Sequence, residues 1–141
     1  MGTRILLADD HGIARAMIRR VIAKRTDWQI VEEASDGADA VAKAYETCPD
    51  LAILDIQMPV LSGIDAAKKI LKCCPATVVM AESLHEGKFM QDTLKQAGVR
   101  GFVQKMEFAT ELIPAIEIVL KGGEWFKDRE APQIGEQLES D

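Results

Sequence analysis

The chain has 141 residues, 48% of them hydrophobic and 28% charged, with a formal net charge of −6. That length suits one domain with a full core, and the acidic balance argues against a dominant nucleic-acid surface, which needs clustered Lys and Arg. No apolar stretch approaches the ~20 residues of a membrane span.

Met1-Gly2-Thr3-Arg4 runs directly into a first predicted strand, Ile5–Ala8, without the pattern of a signal peptide. Residues 12–25 then place Ile13, Met17, Ile18, Val21 and Ile22 on one helical face, with Arg15, Arg19 and Lys24 off it. A second strand, Ile30–Ala34, is followed by Ser35-Asp36-Gly37, a cap region for a helix over 37–47. The third strand is Leu51–Leu54. The helix over 64–73 starts after Ser62-Gly63 and stops before Pro75. Thr77–Ala81 is the fourth strand, and the next helix, over 86–97, ends at the stop signal Gly98. Gly101–Val103 is the fifth strand. A last helix, over 110–121, carries Leu112, Ile113, Ile116, Val119 and Leu120 and ends at Gly122-Gly123, with Pro114 near its start, where a missing N–H costs least. The polar stretch from Lys127 to Asp141 lies outside the core, so the expected division is a domain over 1–126 and a tail or linker stub over 127–141.

Strands alternating with helices imply an α/β fold with a parallel sheet covered on both faces. The expected topology is a flavodoxin-like (βα)5 with strand order 2-1-3-4-5. Cys48, Cys73 and Cys74 form an odd set with no Cys-x-x-Cys. Neither a disulfide framework nor a zinc site is expected, and a reducing cytoplasm is the simplest location.

In open parallel sheets, function gathers at the carboxyl ends of the strands. Here the strands lead into Asp9-Asp10, Asp55, Glu82-Ser83 and Gln104-Lys105. Converging carboxylates repel, and a hard cation such as Mg²⁺ neutralises them with oxygen ligands. Lys105 adds a point charge suited to a phosphoryl oxygen, and Ser83 adds a hydroxyl donor. Such a set supports phosphoryl transfer onto Asp55, since carboxylate nucleophiles form acyl phosphates. Each residue alone has a plainer reading: Asp9-Asp10 as a helix cap, Asp55 and Ser83 as turn residues, Lys105 as a surface charge. Their coincidence at one edge favours the chemical reading.

The stretches "ILLADDHG" (5–12), "DLAILDIQMPVLSGID" (50–65), "VVMAESLHE" (78–86) and "AGVRGFVQK" (97–105) resemble the receiver domain of two-component response regulators. Asp55 leads Met58-Pro59 and Gly63 as the family's phosphoacceptor loop does. Ser83 stands 15 residues before Gly98, and Lys105 stands seven after it, as the family's hydroxyl residue and lysine do. "ADDH", "AGVRGFVQK" and "GGEWF" resemble the branch whose receivers usually precede a helix-turn-helix DNA-binding domain. The resemblance implies that Asp55 accepts a phosphoryl group from a phosphohistidine on a partner histidine kinase. It implies Mg²⁺ held directly by Asp10, more weakly or through water by Asp9, and by Asp55 and the backbone carbonyl of Gln57. Lys105 would contact the phosphoryl group, and Ser83 would move toward it. Phe102 stands at the aromatic switch position, where an inward rotation would alter the surface of the fourth helix, fifth strand and fifth helix. The partners implied are that kinase and a downstream protein or a missing output domain, with no direct nucleic-acid binding by this chain and no membrane. A homodimer is left open.

Departures from the family pattern are the missing hydroxyl of Phe102, bulky Leu84 after Ser83, Glu82 in a strand position that is usually apolar, and Met106 in place of proline. Glu82 suggests either that the strand ends early or that a cation lies nearby. His11 is expected at the start of the first helix, and His85 in a loop, neither with metal duty. Cys73-Cys74 and Phe102 each also read as packing residues. Two other functions compete: a docking module without phosphorylation, and an Asp-nucleophile phosphatase. The second lacks its general acid, because Gln57 stands where another Asp is needed.

Overall fold

The computed structural model describes residues 2–84 and 90–126. Strands β1 (Thr3–Ala8), β2 (Trp28–Ala34), β3 (Leu51–Asp55), β4 (Val78–Ser83) and β5 (Gly101–Gln104) alternate with helices α1 (Gly12–Ile22), α2 (Gly37–Thr47), α3 (Gly63–Cys73), α4 (Met90–Gln96) and α5 (Phe108–Leu120). All pairings are parallel, and the order is β2-β1-β3-β4-β5. This is the flavodoxin-like topology expected from the alternation.

The central strands read as continuous apolar runs because both faces are covered. Leu6, Ala8, Ala52, Leu54, Val79 and Ala81 pack with α2, α3 and α4 on one face. Ile5, Leu7, Leu51, Ile53, Met80 and Val103 pack with α1 and α5 on the other. The alternation has a chemical consequence at the strand ends. Asp9, Asp55, Glu82 and Lys105 each follow, two residues on, a side chain buried under α1 and α5: Leu7, Ile53, Met80 and Val103. The period of two therefore directs four charged side chains to one face.

Side-chain caps set two of the helix starts. The Asp39 N–H donates to Asp36 Oδ1 at 2.7 Å, and the Asp65 N–H donates to Ser62 Oγ at 3.2 Å. Replacing Asp36 with alanine orphans one of the first-turn N–H groups of α2. It is expected to cost about 1 kcal/mol in a denaturant titration, with an unchanged slope.

Three expectations need correction. Helix α1 stops at Ile22 rather than at 25, because the chain tightens into turns there: Lys24 N–H bonds the Val21 carbonyl at 3.2 Å and Arg25 N–H the Ile22 carbonyl at 2.9 Å. Helix α5 begins at Phe108, directly after a 3-10 turn over Lys105–Glu107. Pro114 is therefore seventh in that helix, inside it, where it removes one i→i−4 hydrogen bond. The third correction concerns the cysteines: Cys48 and Cys74 form a disulfide, with Cα atoms 5.5 Å apart, and Cys73 is free and exposed. Both bridged residues are C-caps, of α2 and α3. Because those helices pack on the same face, their ends meet in space although 26 residues separate them in sequence. Cysteine usage thus no longer argues for a reducing location. The expected start of the fourth helix at 86, His85, and the tail over 127–141 lie outside the described residues.

Candidate functional site

The charged side chains that the pleat directs to one face meet at the carboxyl edge of the sheet. Lys105 reaches in from the end of β5. Its Nζ lies 3.0 Å from Asp9 Oδ2, 3.1 Å from Asp55 Oδ2 and 3.7 Å from Glu82 Oε1. Asp9, Asp55, Glu82, Ser83 and Lys105 are all buried. Asp10 is exposed at the rim. The Gln57 N–H donates to Asp55 Oδ1 at 3.0 Å, which fixes that carboxylate in the loop following β3.

That loop is held tightly. Ile56 N–H bonds the Glu82 carbonyl at 3.0 Å, and Gly63 N–H bonds the Ile56 carbonyl at 2.9 Å. A Cβ on Gly63 would sit 2.2 Å from the Asp55 carbonyl oxygen, so only glycine allows the chain to pass this close behind the carboxylate.

His11 lies in the same cluster. It is the N-cap of α1, as expected, and half exposed. Its ring nevertheless faces the pocket. Nδ1 lies 3.1 Å from Asp10 Oδ1, 3.2 Å from Asp9 Oδ1, 3.6 Å from Asp55 Oδ2 and 3.0 Å from Lys105 Nζ. Its place directly after Asp9-Asp10 was the available signal. Glu82 does not end β4 early: the strand runs on to Ser83. It is the register partner of Asp55 and faces Lys105, so the nearby cation is the correct one of its two readings.

Burial and mutual repulsion separate the acids electrically. Burial pushes Asp55 upward. The Gln57 N–H opposes this, the Asp9 charge adds to it, Lys105 opposes it, and the net shift is upward. Burial also pushes Asp9 upward, but the adjacent Glu82 carboxyl, the His11 N–H and the Lys105 ammonium outweigh it, so Asp9 is the more firmly ionised. Glu82 is raised well above the ordinary glutamate range by burial, then by its closeness to Asp9 and by the charges of Asp9 and Asp55. Burial disfavours the Lys105 ammonium, yet Glu82, Asp9 and Asp55 together raise it.

Oxygens of Asp9, Asp10 and Asp55 and the His11 ring nitrogen lie within 4.8 Å of one another. Three carboxylates at that spacing, one of them open to solvent, fit a hard divalent cation that keeps part of its water shell. Ser83 and Gln104 close their strands side by side at the same edge. Phe102 is also on β5, but its ring packs into the core with Leu94 and Val99, 5% exposed. The aromatic position thus stands inward in this conformation.

Residues 5–117 match the family model described as the response regulator receiver domain. The chain belongs to that family. Response regulator GacA of Pseudomonas viridiflava is 33% identical to this receiver over 135 residues, which are 96% of this chain and 61% of GacA. The receiver thus spans about three-fifths of the length of that relative. Chemotaxis protein CheY of Thermotoga maritima is 33% identical over 122 residues, 86% of this chain and all of CheY. Among solved structures, a two-component response regulator of the LuxR family from Aurantimonas sp. SI85-9A1 superposes with a TM-score of 0.84 at 33% identity. The match covers 89% of this receiver and 90% of that chain.

Proposed function

We propose that this receiver is a phosphoacceptor module, taking a phosphoryl group onto Asp55 from the phosphohistidine of a histidine kinase in a Mg²⁺-dependent step. The observation that carries the reading is the meeting of Asp55 with Asp9, Asp10 and Lys105 at one sheet edge. An Asp55 oxygen forms the new P–O bond while the P–N bond to the donor imidazole breaks and the imidazole leaves. Lys105 stays within reach of the transferred group and offsets its negative charge. The Gln57 N–H holds the carboxylate in line. Asp9, Asp10 and Asp55, with the Gln57 backbone carbonyl, would hold Mg²⁺, which supplies charge neutralisation for the phosphoryl oxygens. Ser83 would donate to one of those oxygens, and Phe102 would act as the aromatic of the α4–β5–α5 surface from its inward position.

Beside the pocket, Ile13, Ala14, Met17, Leu84, Met106 and Phe108 line an apolar groove of about 370 Å³ that ends at His11 and Lys105. Ile13 and Met106 are more than four-fifths exposed. Their position suits the phosphodonor protein, which must bring its imidazole to Asp55. Leu84 at the groove's edge also suits a shield that slows hydrolysis of the acyl phosphate. The output belongs to a downstream protein or an output domain, in the cytoplasm. A homodimer through α4–β5–α5 or through α1 and α5 fits the same scheme.

Incubation with acetyl phosphate and Mg²⁺ tests the reading. A single added phosphoryl group, labile to hydroxylamine and mapped to Asp55 by mass spectrometry, is expected. Chelation with EDTA is expected to stop it. Modification elsewhere, or none in Mg²⁺, would refute the assignment.

A further inference from the structure

Lys105 sits between the two carboxylates that a divalent cation would need. Its ammonium is 3.0 Å from Asp9 and 3.1 Å from Asp55. Positive charges cannot share those oxygens at such distances without strong repulsion. The ammonium must therefore give up Asp9 and Asp55 whenever a cation takes them. Among the described residues, the one other carboxylate within ion-pair reach of Lys105 is Glu82, at 3.7 Å.

Glu82 is unusual in its own right. It is 1% exposed, on a strand paired on both sides. No N–H or O–H donor among the described residues reaches either of its oxygens. A buried carboxyl without a donor costs free energy, and an apolar side chain at this strand position would avoid that cost. The unsatisfied oxygens face Lys105, the ammonium that a cation on Asp9 and Asp55 would displace.

We propose that Glu82 is a positioning residue: it takes over the Lys105 ammonium when Asp9 and Asp55 bind a divalent cation, and thereby strengthens metal binding and keeps Lys105 beside Asp55. This inference rests on the metal site of the preceding subsection, and the test separates the two.

The experiment is a Mn²⁺ titration of the full chain, followed by the loss of the free-ion EPR signal, with no phosphodonor present. It is run on wild type, Glu82→Met, Glu82→Gln, Lys105→Met and the double variant Glu82→Met/Lys105→Met. A charge-assisted contact supplied in the bound state corresponds to about a ten-fold change in affinity. Glu82→Met is expected to weaken Mn²⁺ binding by about that factor. Glu82→Gln, which keeps an acceptor oxygen, is expected to fall between Glu82→Met and wild type. In the Lys105→Met background, where no ammonium needs a new partner, Glu82→Met is expected to have no effect. That coupling distinguishes positioning from a structural role, and a Glu82→Met melting temperature no lower than wild type shows that the loss is not one of folding. Should Glu82→Met fail to fold, the Glu82→Gln pair in both backgrounds carries the same comparison. Equal weakening with and without Lys105 would overturn the proposal, because Glu82 would then act on the ion itself. Unchanged affinity in Glu82→Met would overturn it as well. Absence of Mn²⁺ binding by wild type would instead refute the metal site, and the proposal with it.

Discussion

An Asp55→Asn protein is expected to remain folded and to lose labelling by acetyl phosphate to background. The substitution keeps the shape of the side chain and an oxygen that can accept the Gln57 N–H, bonded at 3.0 Å in wild type. It removes the nucleophile, because an amide oxygen does not form a stable acyl phosphate. It also removes one of the negative charges that crowd the pocket. Asp55 is held above its ordinary value, chiefly by burial. The folded protein therefore keeps its proton at a pH where the unfolded chain has released it. By linkage, this group's contribution makes wild-type stability fall as pH rises above the ordinary 3.8 until the raised folded value is passed. Asparagine has no such loss. The variant should melt as high as wild type near pH 4 and up to a few degrees higher at pH 7. Labelling that survives in the variant would remove Asp55 from the mechanism. A variant that melts well below wild type at pH 7 would show that the Lys105 contact outweighs the relief of charge.

The second large effect is on stability. Cys74→Ser is expected to lower the stability of the oxidised protein by about 3 kcal/mol, the loop-closure value for a bridge of this span. For a domain of this size, that is roughly 10 °C in melting temperature. Addition of dithiothreitol should bring wild type down to the variant and leave the variant unmoved. Cys73→Ser serves as the control, since Cys73 is exposed and unpaired. Identical melting of wild type and Cys74→Ser without reductant would mean that the bridge contributes nothing. The bridge joins the ends of α2 and α3, at the edge of the sheet opposite Asp55. Its loss should therefore leave phosphoryl acceptance intact in the folded fraction.

The parts of this molecule legible in the sequence are those governed by short-range period. Strand β3 reads as a buried run because both its faces are covered, and Asp55 stands out because a carboxylate ends that run. The parallel sheet follows from the alternation of elements, and the convergence of Asp55 and Lys105 on one edge from their places at the ends of two strands. Features that depend on two distant segments meeting were harder to read. The bridge between Cys48 and Cys74 exists because two helices end side by side, which no residue count reveals. The inward-facing ring of His11 depends on the direction in which α1 leaves β1. Glu82 stood between cases. Its place after a strand at the charged edge is legible in the sequence, but its approach to within 3.7 Å of Lys105 depends on how β4 and β5 lie side by side. Pro114 lies deeper in α5 than the apolar stripe suggests, because the helix takes over directly from the turn after Lys105 and so starts earlier.

Trp125 bridges to Gly101 in parallel. The Phe102 N–H bonds the Trp125 carbonyl at 2.8 Å, and the Trp125 N–H bonds the Arg100 carbonyl at 2.9 Å. Strand β5 is the last in the sheet, and an exposed last strand is a template for edge-to-edge aggregation. Here the chain's own backbone blocks part of that rim. Self-association on this side would therefore have to proceed by packing of helices and side chains rather than by lengthening the sheet, and it could be made and undone without disturbing the strand that delivers Lys105.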